Sequence, residues 1–324
     1  MLYPTFYIEA FRIIRKQSNT FDDPFVIVGE DSIGNGVVPV FGKYTVDYEF
    51  NLTEIDLGGR IPVGKSMTGS LIGRLSDYKS ALEFDDGGSF DYTYHKGQAL
   101  IARLEANMLG ISAAMDIHPT SGWQGWIEYA RENNRFIEGF KIDAEKGTIG
   151  EVYKHYNYHR LEADIDCYKK IYKGLVFNPH LMAGAISDSV DSFYHLYAGG
   201  LIGMRGYSFY SLGGSRKAVL RTTLRFPILT EIDRKWGPFY IDRIHGALFA
   251  EAGDAWTEDF DNIDIKKDIG AELRFSLYSW YVFPTDLQIS AAYGLDRFEI
   301  VQDNDRTEYG REWRWYLTLL FSFL

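Results

Sequence analysis

Apolar and polar positions alternate with a period of two along most of the chain, and apolar faces at helical spacing are almost absent. That pattern predicts β-strands throughout. Tyr44, Val46, Tyr48, Phe50 and Leu52 share one face against Thr45, Asp47, Glu49 and Asn51. Leu100, Ala102, Leu104, Ala106 and Met108 oppose Ile101, Arg103, Glu105 and Asn107, and the pattern recurs at 67–76, 161–168, 220–226, 268–277 and 286–293. In the last segment Trp313, Trp315, Leu317, Leu319, Phe321 and Phe323 oppose Arg314, Tyr316, Thr318 and Ser322.

These segments read as about 9 to 13 residues, longer than the usual strand of about five or six and close to what a tilted strand needs to cross a bilayer. About twelve strands are legible, with room for more at 17–41, 78–95 and 134–155. Short turns, as near Pro284, alternate with long polar excursions at 187–215 and 296–312, as expected of a barrel with two unlike rims. The expected fold is therefore all-β: a closed antiparallel transmembrane barrel of about 12 to 16 strands. In such a barrel the apolar face turns outward, so that Arg221, Arg225, Glu272 and Arg274 line a polar interior. No composition shift or linker divides the chain, so residues 1–324 are expected to form a single domain.

Composition sharpens this. Aromatic residues make up 16% of the 324 residues, yet no run approaches the 18 apolar residues of a membrane-spanning helix. The aromatics then belong to a soluble core or to interfacial girdles, the second being the reading for Trp123, Trp126, Trp313 and Trp315. A formal net charge of −11 offers no general attraction to nucleic acid, and no nucleic-acid partner is expected. The lone cysteine, Cys167, takes the place of a small apolar residue in a strand. The first residues show no basic region, short apolar stretch and cleavage site, so an outer-membrane chain is expected to be the C-terminal barrel of a longer precursor whose N-terminal periplasmic part is absent here.

Residues 199–228 carry the most specific signal. Gly199-Gly200 leads to Arg205-Gly206-Tyr207, then Gly213-Gly214, then a strand ending at Phe226-Pro227. Upstream stands Asp116-Ile-His-Pro119-Thr-Ser-Gly122. Downstream stand Phe249-Ala-Glu251-Ala-Gly253-Asp-Ala-Trp256 and Asp268-Ile-Gly-Ala-Glu272-Leu-Arg274. In this order and spacing the segments resemble the signature of the BamA/TamA superfamily, also called the bacterial surface antigen family, over most of the chain.

The resemblance implies a barrel with the long loop folded into its lumen, where the loop arginine meets acidic groups of the wall. Here those are Arg205, Gly206 and Tyr207 on the loop, Glu251 and Glu272 on the wall, and Asp116, Pro119, Gly122 and Gly253 in the turn and strand motif. Physics agrees with that use of arginine, because a buried guanidinium must be paired and its planar fork suits carboxylates. Glu251 replaces the family's Asp. A second family acid falls where this chain has Arg225, which puts a two-acid clamp in question. Relatives carry periplasmic domains before the barrel, usually POTRA repeats, in some a TolB-like propeller.

The implied function is outer-membrane protein assembly or polypeptide translocation, without enzyme activity and with no cofactor. The partners are outer-membrane lipids and a client polypeptide or other envelope proteins, and the location is the bacterial outer membrane. The first-to-last strand seam, marked by Leu317, Phe321 and Phe323, would template an incoming strand. Two alternatives stand beside this: a passive pore or anchor barrel with a plugging loop, and a soluble β-sandwich that binds sugar on aromatic platforms. No residue pattern for hydrolase or nucleotide chemistry occurs. His155 and His159, four apart on a strand, lie roughly 13 Å apart, too far to share a metal ion. The face Glu162, Asp164 and Asp166 is read as an acidic ladder opposite Arg221 and Arg225.

Overall fold

The computed structural model describes residues 3–33, 36–84, 87–110, 119–143, 148–188, 190, 192–257, 263–280, 282–302 and 305–321. The chain begins with β1 (Thr5–Ile33), β2 (Gly36–Val63), β3 (Met67–Phe84), β4 (Ser89–Gly110), β5 (Ser121–Asp143) and β6 (Thr148–Tyr172). β7 (Leu175–Ile186) leads into the 187–215 excursion, which holds two single-turn 3-10 helices and the two-residue strands β8 (Leu196–Tyr197) and β9 (Gly213–Gly214). Then follow β10 (Arg216–Leu229), β11 (Arg234–Trp236), β12 (Phe239–Trp256), β13 (Lys266–Ser279) and β14 (Phe283–Gly294). Among the described residues β15 (Phe298–Gln302) and β16 (Asp305–Tyr309) pair only with each other, and β17 (Trp313–Phe321) is the last strand.

Among the described residues one antiparallel sheet runs β1-β2-β3-β4-β5-β6-β7-β10-β12-β13-β14-β17, with β11 beside β12. Each strand lies next to its successor in the sheet, the order of an up-and-down barrel. No pairing joins β1 to β17 among the described residues. Among the described residues the segments 17–41, 78–95 and 134–155 hold no additional strands. They are the outer parts of β1 to β6, which run to 29 residues in β1 and far exceed the expected 9 to 13.

The face on which the excursion lies is called inner here. In the half of the sheet next to the short turns the sides sort as a barrel requires. Leu57, Leu71, Leu100, Ile127, Leu161, Leu248 and Leu317 point outward and are exposed. Asp56, Arg225, Glu251, Glu272, Asp286 and Ser290 point inward and are buried. A soluble sandwich buries its apolar face, so that alternative fails here. Trp123, Trp313 and Trp315 are exposed with the outer apolar residues. Trp126 corrects the girdle reading: it alternates with Trp123 onto the inner face, where the Arg103 guanidinium lies 4.3 Å over its ring.

Farther along β1 to β6 the two faces exchange character. The outer side becomes polar: Lys16 pairs with Glu49 at 2.8 Å and Ser18 donates to Asp47, while Arg131, Asn133, Arg135 and Asn157 are exposed. The inner side becomes aromatic, with Phe136 and Tyr158 buried. The apolar face of Tyr48, Phe50 and Leu52 therefore points inward, the reverse of the barrel rule that holds from Ile55 onward.

Candidate functional site

The excursion is held down at Arg205. β12 places Glu251 and β13 places Glu272 on the inner face, because both occupy inward positions in strands whose register sets Ala247 opposite Glu272 and Glu251 opposite Asp268. Arg205 Nε donates to Glu251 Oε1 at 2.9 Å, its backbone N–H to Glu251 Oε2 at 2.6 Å, and Nη1 to Glu272 Oε2 at 2.8 Å. The guanidinium carbon lies 3.4 Å from the centroid of Phe249, so one face of the fork rests on a ring while its edge meets two carboxylates. Arg205, Glu251 and Glu272 are 4%, 2% and 3% exposed, which removes the water screening that makes surface pairs weak.

Each acid is shared. Glu251 also receives Arg221, which in turn reaches the Gly203 carbonyl of the loop, and Glu272 also receives Arg274 and Gln288. The clamp thus has two acids despite Arg225 standing at the family's second acidic position. Arg225 is itself used, donating through Nη2 to the carbonyl of Pro119. This ties the turn before β5 to the inner face of β10.

The rest of the tripeptide locks in behind Arg205. Gly206 N–H donates to Asp268 Oδ2 at 2.8 Å, and a Cβ on Gly206 would lie 2.5 Å from Asp268 Cβ. Glycine is needed there for close approach to the wall. Tyr207 is fully buried and donates to the Lys267 carbonyl at 2.8 Å. Burial pushes its hydroxyl up to about 12, so it remains a neutral donor. From the opposite side the Tyr316 hydroxyl of β17 donates to the Arg205 carbonyl at 2.7 Å.

Of the turn and strand motif, Gly122 takes φ +95 and its Cβ would meet the Met108 carbonyl at 2.2 Å, while Gly253 opposes Val219 between β12 and β10. Asp116 and Phe323 lie outside the described residues. Leu317 is 73% exposed on β17, and Phe321 stands opposite Thr285. In the acidic ladder Asp164 pairs with His180 at 2.9 Å, and Glu162 with Lys217 at 2.9 Å and Arg160 at 3.5 Å. Asp166 lines one cavity with Arg221 and Arg225. Sequence reasoning missed Arg221, Phe249, Asp268 and Tyr316 as parts of the clamp. The alternation put Arg221 and Tyr316 on polar faces, but only cross-strand register shows what they meet.

Compared with solved structures, the chain aligns with CdiB from Escherichia coli over 97% of its own length and 51% of that chain, at 12% identity and a TM-score of 0.51. The chain shares its fold with that protein. The chain spans about half the length of CdiB. BamA from Haemophilus ducreyi lacking POTRA domains 1-3 aligns over 99% of this chain and 71% of that one, at 12% identity and a TM-score of 0.46. No family model matches the sequence, and no curated protein does.

Proposed function

We propose that the chain is an outer-membrane barrel that inserts or translocates other polypeptides, with the sheet closed between β17 and β1 and the 187–215 loop held in its lumen. The observation that carries this reading is the Arg205 clamp. A barrel that only conducts solutes needs a polar wall, but it has no need of a loop fixed through two acids while its backbone is held by the last strand. Because Tyr316 grips Arg205 from β17, the loop is mechanically joined to one side of the β1/β17 junction. Among the described residues β17 has 9 residues and β1 has 29, so a closure between them leaves most of the described β1 edge without a partner strand. Such an edge is a template for backbone pairing with an incoming strand.

The test deletes Gly203 to Gly213 in the full-length protein and reads conductance and client assembly together. An insertase or translocase loses client assembly whether or not conductance rises. A loop that merely plugs a pore gives larger conductance with normal assembly, and that result would overturn the reading. Photocrosslinking from Leu317 to a nascent client supplies a second readout, and no adduct under assembly conditions would count against the seam.

A further inference from the structure

The outer parts of β2 to β6 carry a feature that polypeptide handling does not use. Tyr48, Phe50 and Tyr78 lie side by side on the inner face with ring planes inclined by only 11° and 15° and centroids 6.3 and 6.1 Å apart. The row continues edge-on through Tyr94 and Phe136 to Tyr194 of the excursion. Beside it lies a cavity of about 400 Å³ lined by Phe50, Tyr78 and Tyr194 together with arginines, glutamates and Asn134.

The polar groups of the cavity are pre-set in ion pairs. Arg74 holds Asp56 at 2.7 Å and Glu54 at 3.2 Å, and Arg160 holds Glu132 at 3.0 Å. The lining has three arginines, Arg15, Arg74 and Arg160, and four glutamates, Glu54, Glu128, Glu132 and Glu162, a formal balance of −1. Glu128 is further paired with Arg103. No strong field therefore selects an anion or a cation.

We propose that this aromatic row and cavity form a binding site for a neutral oligosaccharide. Flat rings in sequence offer faces to the C–H sides of successive sugar rings. Carboxylate, guanidinium and amide groups of the lining, fixed by their ion pairs, offer donors and acceptors to hydroxyls beside the aromatic rings. A polypeptide strand adds through backbone pairing at an edge, whereas this site presents side chains from the middle of the sheet. The site lies on the part of the sheet whose outer face is polar, and Arg15, exposed on β1, stands opposite Phe50 at its border. None of its residues belongs to the Arg205 clamp, so its failure leaves the proposed function untouched.

Saturation-transfer NMR on the full chain in detergent micelles tests it with maltoheptaose, chitohexaose and a hexagalacturonate. At least one neutral oligomer is expected to receive saturation and the hexagalacturonate less. Phe50→Ala and Tyr78→Ala should abolish the signal. Arg15→Ala, which alters an exposed edge side chain and leaves the sheet intact, should weaken binding by roughly tenfold, the loss of one charge-assisted hydrogen bond. Absence of transfer to both neutral oligomers, a signal indifferent to all three substitutions, or binding only of an aromatic-rich peptide run in parallel would each overturn the proposal.

Discussion

At the scale of single residues the loop is secured by groups that have no substitute. Gly206→Ala forces a methyl against Asp268 and Gly294, an overpacking expected to cost about 1–3 kcal/mol; the heat-modified shift of the barrel on gels should move to lower temperature. Tyr207→Phe keeps the ring and removes only the hydroxyl that serves Lys267 and Asp296. The Lys267 carbonyl and the Asp296 N–H each lose a partner, at a cost of about 0.5–1.5 kcal/mol, read as a lower unfolding midpoint in denaturant. Arg205 and Glu251 could be matched from the sequence because the motif carries both. Glu272 was also named from its segment, but that both acids hold Arg205 at once could not be read, since Arg225 occupies the position of the second acid and only the register brings Glu272 to the guanidinium.

At the scale of strands, alternation is enough to assign β-structure to the segments that show it, but it is blind to which side is inside. Period two survives when the faces exchange roles, so Tyr48-Phe50-Leu52 and Ile55-Leu57 read as equivalent apolar faces although they point to opposite sides of β2. Strand length was misread for the same reason. A strand trimmed to one bilayer crossing stops near 11 residues, whereas β1 to β6 continue into a region with polar outer faces. The exchange predicts unequal tolerance to charge. Leu104→Arg, on the apolar outer band, should cost about 2–4 kcal/mol if it faces lipid at mid-depth. Asn133→Arg, on the polar outer face of the same sheet, should be silent within about 0.5 kcal/mol. Equal effects in a detergent-to-lipid folding titration would mean that the band is not a membrane surface.

At the scale of the whole molecule, the sheet order is that of an up-and-down barrel, and its two end strands are the ones the proposed mechanism needs to meet. In a Cys167→Ser background, cysteine pairs scanned between residues 6–10 of β1 and 315–319 of β17 should include at least one that crosslinks under oxidation. Locking it should stop client insertion while leaving the barrel folded. If no pair crosslinks, the β1/β17 junction is not formed as the mechanism requires.

The clamp joins all three scales, and the coupling between Arg205 and Glu251 tests it most directly. Charge reversal is unsuited, because a swapped pair would face Glu272 and Arg221 with like charges. The neutral cycle Arg205→Met, Glu251→Gln and the double variant avoids this, with barrel stability and loop protection from protease measured for each. The clamp predicts that each single change costs about 3–5 kcal/mol, as for a broken buried pair, and that the double costs clearly less than the sum. Two silent single changes, or strict additivity, would contradict the account and leave Arg205 a residue that merely lies near the wall.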